Sequence, residues 1–283
     1  MKIKAIWYKG KRNFGDDLNP ALIKYLSGSE PIFIKPKKFS LIDRARPRII
    51  KYFPLADKLW NVKTQKSDED IYVVIGSILT YADRNTNVWG PGFISEYSRV
   101  KERPKKIYAV RGPLTRKILI NQGIECPEIY GDPALLYPMF YKPHIQKKYS
   151  LGIIPHSAEK NIFWSKYMDQ DVLIIDIGSG INNVVDSICS CECIASSSLH
   201  GIIAADAYSI PSIWIKISDR VIGDGFKFMD YFASVGRTEM PLIINNNTTF
   251  QDIYNKFSDY ELDINLDKLI NACPFLNTTD RHL

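Results

Sequence analysis

The chain is punctuated by short, largely apolar runs, at residues 71–75 (IYVVI), 149–154 (YSLGII) and 172–177 (VLIIDI), the first of them unbroken. Runs this short and without alternation suit strands buried on both faces, the condition of a parallel sheet covered by helices. Polar or glycine-rich residues follow each run, and a helical pattern then begins in several places. A first strand is expected over residues 2–8, with a loop over 9–17 and a helix ending near Leu26, with Gly28 beyond it. Residues 107–110 run into Arg111-Gly112-Pro113, and that helix reaches Gly123, with proline at its first turn and glycine past its end. Residues 128–130 read as a further strand. Strands alternating with helices predict an α/β fold with open parallel sheets.

Length and composition permit two such units. At 283 residues and 45% hydrophobic, the chain can bury a large core. Residues 138–148, with two prolines, read as a linker, which divides the chain into Rossmann-like domains at 1–145 and 146–283. The charge divides near the same point. Residues 1–146 carry 26 Lys/Arg against 14 Asp/Glu, whereas residues 147–283 carry 11 against 17. The basic stretches are 35–38, 44–51 and 101–106. The middle one interleaves Arg and Lys with Ile, Tyr, Phe, Leu and Trp, so residues 35–60 are a candidate for peripheral contact with an anionic membrane surface. Packing of its apolar side on the domain is the plainer alternative. No nucleic-acid motif accompanies the charge.

No apolar run approaches the roughly 18 to 20 residues of a membrane helix. The opening MKIKAIWYKGK is too interrupted by lysine for a secretory signal, so the expected location is the cytoplasm, including the inner face of the membrane. Of five cysteines, Cys189, Cys191 and Cys193 alternate and would share one face of a strand. No second ligand pair lies near them, so buried apolar thiols are expected and no metal site. After the strand at 213–217, residues 218–236 read as a loop carrying Lys227. One or two amphipathic helices follow within 248–272, and the last ten residues read as frayed.

Polar signals collect just after the strands: Asn13 to Asp17, Gly76 and Ser77, Gly90 to Gly92, Arg111, Asp132, His156, and Ser197 to His200. In a parallel sheet those ends share one edge, where ligands bind. The segment CIASSSLHGIIAADAYSIPSIWIK is the densest of them. It offers a short strand, three serines, and a histidine in the first turn of a helix stopped by Pro211. Free N–H groups there form an anion site, with an imidazole beside it to give a proton. A simple N-cap at Ser198 and a surface histidine at 200 are the plain alternative, as are turn caps for Asn13 and Asp132.

Five stretches in order, NFGDDLNPALI, VRGPLTR, GDPALLYP, GIIPH and SSSLHGIIAADAYSIP, resemble the polysaccharide pyruvyltransferase family over residues 5–235. The resemblance implies a GT-B-like pair of Rossmann-like domains facing across a cleft, the basic first domain on the acceptor side. It implies transfer of the enolpyruvyl group of phosphoenolpyruvate to a sugar such as galactose, lipid-linked or nucleotide-linked, without metal or organic cofactor. On that footing His200 is the expected general acid, with Arg111 on the donor's carboxylate or phosphate, or else paired with Asp132. The donor site is expected from His156, Ser197, Ser198, Leu199, His200, Gly201 and Lys227. Asn13, Asp16, Asp17, Gly76 and Ser77 are expected on the acceptor, with Asp16 as base. Several family members have Arg-Leu-His where this chain has Ser198-Leu199-His200, so Lys227, Arg220 or Lys216 would supply the missing cation. A nucleotide-sugar glycosyltransferase and a non-catalytic polysaccharide- or membrane-binding module remain the alternatives.

Overall fold

A computed structural model describes residues 2–10, 12–36, 49, 52, 69–160 and 171–277. Most of the basic segment 35–60 lies outside them. The first half contains β1 (Lys4–Ile6), α1 (Phe14–Ser27), β2 (Ile32–Phe33), β3 (Ile71–Val73), β4 (Thr86–Trp89), β5 (Lys106–Ala109) and α2 (Pro113–Asn121). A 3-10 turn over Pro133–Met139 leads to the second half. There follow β6 (Tyr149–Ile154), β7 (Val172–Ile174), α3 (Ile181–Cys189), β8 (Cys191–Ser196), α4 (Leu199–Ala207) and β9 (Ser212–Lys216). The chain continues through α5 (Phe226–Ser234), β10 (Leu242–Ile243), α6 (Phe250–Tyr254) and α7 (Leu266–Asn271).

The described strands form two five-stranded sheets, parallel at every pairing, in the orders β2-β1-β3-β4-β5 and β10-β9-β8-β6-β7. Counted from its own first strand, each sheet has the same order, 2-1-3-4-5. The sequence carries no visible repeat, yet the topology is duplicated. In such a sheet successive connections leave the first strand in opposite directions, and the crevice beyond the β1/β3 or β6/β8 ends is the natural ligand position.

Local chemistry accounts for the elements that frame those crevices. Asn13 caps α1 by accepting the Gly15 N–H, Asp16 and Asp17 face the positive end of the helix dipole, and Lys24 the negative end. Gly28 closes α1 in the left-handed region, its N–H on the Lys24 carbonyl. Within α1, Asn19 is buried and clamps the end of β3, donating to the Ile75 carbonyl (3.1 Å) and accepting the Ile75 N–H (3.0 Å). One core runs under both sheets, uniting Leu18, Leu22, Ile75 and Trp89 with Ile154, Ile177, Ile202 and Phe228.

Several expectations are corrected. Residues 218–236 are not all loop, because α5 occupies Phe226–Ser234 and stacks Phe228 on Trp214 at 4.5 Å. Cys189 ends α3, while Cys191 and Cys193 lie in β8, so the three do not share a strand face. All five thiols are free, and burial pushes Cys191 up to about 11 and Cys193 to about 12. Residues 128–130 supply only an isolated bridge, Tyr130 to Val110. The strand expected over 171–177 is three residues long. The chain end is anchored at least to Phe275, which is buried edge-on against Tyr72 (5.4 Å) and Trp89 (5.7 Å). The Trp89 indole also donates to the Leu269 carbonyl, so α7 returns to the first sheet. No helix among the described residues is long and apolar enough to cross a membrane.

Candidate active site

The two halves touch at the start of α1. The Phe14 N–H, at the start of α1, donates to the Ile177 carbonyl beyond β7 (2.9 Å). One residue on, Gly15 packs against the Nδ1 side of the imidazole of His200, which opens α4 after β8. A Cβ on Gly15 would stand 2.1 Å from His200 Nδ1, so only glycine admits the ring there. His200 is thus held at the junction of the halves, its side chain 13% exposed.

Asp16 follows on α1. Burial raises its carboxyl to about 6, the His200 imidazole opposes that rise, and Asp17 adds to it. Asp17 is also raised, chiefly by burial, with Arg12 opposing. On the far side of the imidazole, Asp132 is fully buried. Its Oδ1 accepts the Ala134 N–H (3.0 Å) and caps the 3-10 turn, as the turn-cap alternative expected. Among the described residues its Oδ2 has no hydrogen-bond partner, nor does His200 Nε2 3.7 Å away. Sequence reasoning placed Asp132 at a strand end but did not pair it with His200.

His156 follows β6, beside the Ser197 turn. Burial lowers its imidazole to about 4, with Lys227 and then His200 adding to the effect. It is therefore neutral at pH 7. Ser197 Oγ accepts the His156 N–H (2.8 Å) and donates to the fully buried Glu159 (2.6 Å), whose other oxygen accepts from Ser218 (2.6 Å). Glu159 was not foreseen; it fixes the turn ahead of α4. The Ser197 hydroxyl is thus committed to the fold, and the Gly201 N–H bonds the Ser198 carbonyl (3.0 Å). Ser198 stands at the N-cap of α4 but makes no side-chain cap bond. Leu199 is buried, and its side chain faces the core.

Arg111 requires the largest correction. Its guanidinium is fully buried, and it pairs not with Asp132 but with Asp230 of α5. Nε donates to Asp230 Oδ2 at 3.0 Å, NH2 lies 2.9 Å from the same oxygen and donates to the Phe93 carbonyl, and NH1 donates to Ser77 Oγ at 2.9 Å. Asp230 also accepts the N–H and hydroxyl of Thr115 at 2.8 and 2.7 Å, so it caps α2 from the other half of the molecule. Gly112 makes the approach possible, since a Cβ there would meet the Asp230 carbonyl at 1.9 Å. The RGPLTR stretch and α5 together bolt the halves, and Arg111 offers no exposed donor to an anion. The signal for α5 was present, because Phe228, Tyr231, Phe232 and Val235 have i, i+3, i+4, i+7 spacing.

Among the three candidate cations, Lys216 pairs with Asp219 and Arg220 turns to the Ala158 carbonyl. Lys227, at the start of α5, is drawn down to about 8 by burial and then by Arg111, with Glu159 opposing. It also depresses His156. Lys227, His156 and His200 therefore share one electrostatic environment. Beside it, a cavity of about 260 Å³ reaches from Glu159 and Ser197 to Trp214 and Phe228. On the first half, Gly76 and Ser77 follow β3 across from the start of α1, with Ser77 turned to Arg111.

Comparison with known proteins gives four results. No solved structure matches the chain. An uncharacterised protein of Acanthamoeba polyphaga mimivirus is 31% identical over 206 residues, 68% of this chain and 71% of the relative. The succinoglycan biosynthesis protein ExoV of Rhizobium meliloti (strain 1021) is 32% identical over 160 residues, 54% of this chain and 47% of that protein. The aligned part thus spans about half the length of ExoV. The family model for polysaccharide pyruvyl transferase matches residues 13–219, from the Asn13 cap through β9, and takes in His156, His200, Asp16 and Asp132. On that match, this chain belongs to the polysaccharide pyruvyl transferase family.

Proposed function

We propose that the chain moves the enolpyruvyl group of phosphoenolpyruvate onto a sugar of a cell-surface polysaccharide precursor, closing a pyruvate ketal and releasing phosphate. The observation that carries this is the seating of His200 against Gly15 of the other half, beside Asp132 and near enough to Asp16 and His156 for their charges to interact. ExoV, by its name, serves succinoglycan biosynthesis, which supports a polysaccharide acceptor.

The donor carries about three negative charges and calls for cations and helix N-termini. Lys227 and the Leu199 and His200 N–H groups at the start of α4 would hold its phosphate, with neutral His156 as a hydrogen-bonding partner. Protonated His200 gives its proton to the methylene carbon, which becomes methyl, and C2 takes on cationic character. A sugar hydroxyl attacks C2 and loses its proton to ionised Asp16. Cleavage of the C2–O bond expels phosphate, a second hydroxyl closes the ketal, and the second hydroxyl proton leaves with the phosphate. Asn13, Asp17 and the Gly76-Ser77 turn would face the acceptor, a hexose such as galactose. A GT-B-like cleft, a lipid-linked acceptor and membrane contact through residues 35–60 belong to the same proposal, and the chemistry calls on no group besides the two substrates.

The test is incubation of the purified chain with phosphoenolpyruvate and a galactoside. Phosphate release that needs both, with a product heavier by one pyruvate ketal, is expected. Turnover with a nucleotide sugar alone would overturn the proposal.

A further inference from the structure

We infer that Asp132 is the positioning carboxylate of His200: contributed by the first half of the molecule, it fixes the tautomer and orientation of an imidazole contributed by the second. This role rests on the reaction proposed above.

The inference starts from two unpaired atoms. Asp132 Oδ2 and His200 Nε2 are the buried side-chain polar atoms left without a hydrogen-bond partner among the described residues, and they face each other at 3.7 Å. A buried polar atom without a partner costs about 1–3 kcal/mol. Two such atoms, complementary in chemistry, relieve both costs by closing on one another. A closure of about 1 Å brings them to hydrogen-bond length.

The rest of each residue is held so that this is the available movement. Oδ1 of Asp132 is occupied by the Ala134 N–H, which fixes the carboxylate's rotation. The Nδ1 edge of His200 lies on the backbone of Gly15. A carboxylate accepts and cannot donate, so it selects the ring form with its proton on Nε2. Nδ1 is then the nitrogen left toward the α1 side, where Asp16 stands.

The test uses the full chain labelled with 15N-histidine, whose four histidines are sorted by the signal lost in His200→Ala. In the unaltered protein the neutral ring of His200 is expected to carry its proton on Nε2. Observation of the Nδ1–H form would overturn the inference without any variant. Asp132→Asn keeps an oxygen for the Ala134 N–H and turns an NH₂ donor to the ring. It should convert the ring to Nδ1–H and lower kcat by ~10²-fold or more, with KM for phosphoenolpyruvate little changed. An unchanged tautomer, or a changed tautomer with unchanged kcat, would overturn the positioning role. Should the tautomer switch as expected while the unaltered protein releases no phosphate from phosphoenolpyruvate, the pairing stands and the proposed reaction fails.

Discussion

Gly15 and His200 are fitted to one another: the imidazole occupies the place where any other residue at 15 would carry its Cβ, 2.1 Å from Nδ1. Gly15→Ala must push the ring aside or part the halves. Overpacking of this kind costs about 1–3 kcal/mol. The expected outcome is a lower Tm together with a loss of pyruvyl transfer of about 10-fold or more. Activity at the unaltered level would show that the ring works from another position.

The bolt between the halves makes a separate prediction. Asp230→Ala strands a fully buried guanidinium, and removal of one partner of a buried pair costs about 3–5 kcal/mol. The double change Arg111→Met with Asp230→Leu removes both charges and should recover most of that loss in urea unfolding. Were Arg111 an anion ligand, the double variant would be stable yet unable to bind phosphoenolpyruvate. Retained binding, read by calorimetry, is the expected result.

How much of this was legible in the sequence follows from how local each signal is. The buried parallel strands and the Gly28 stop are written within a few residues, and the structure places them as read, whereas α1 begins at Phe14, inside the expected loop 9–17, with Asn13 as its cap. The bond from Arg111 to Asp230 joins residues 119 positions apart, and no local pattern names its partner. The helical spacing from Phe228 to Val235 was readable, but Gly223, Asp224 and Gly225 before it read as loop. Asp132 was legible as a turn cap because that bond is local. Its second face, toward His200, exists only once the two sheets are side by side.

Asp16 predicts a pH dependence in two measurements. With its carboxyl raised to about 6, a base at this position is ionised only above that value, so kcat/KM should rise through about pH 6. Asp16→Asn should abolish that limb along with most of the rate. Stability gives the second measurement. A raised carboxyl binds its proton more tightly folded than unfolded, so its contribution is present at low pH and lost as pH rises from 3.8 to about 6. His156, lowered to about 4, acts in the opposite sense and destabilises the fold as pH falls from 6.5 toward 4. The two offset one another. Asp16→Asn removes the first alone, so that variant should lose more stability between pH 6.5 and 4.5 than the unaltered protein does. An equal loss would show that Asp16 titrates near its ordinary value.

On the proposed reaction, Lys227 should set the alkaline side of donor binding. Its amino group is drawn down to about 8 by burial and by the Arg111 guanidinium, so it is mostly charged at pH 7 and mostly neutral at pH 9. A neutral amine loses its attraction for phosphate. KM for phosphoenolpyruvate should therefore climb above about pH 8, with kcat changing less. Lys227→Met, which keeps most of the aliphatic stem but removes the ammonium over the Phe228 ring, should raise KM by about 10-fold or more at pH 7 and remove that alkaline rise. Lys216→Met serves as the control, since its amino group already faces Asp219. If Lys216→Met raised KM and Lys227→Met did not, the cation replacing the family's arginine would lie at the end of β9 and not at the start of α5.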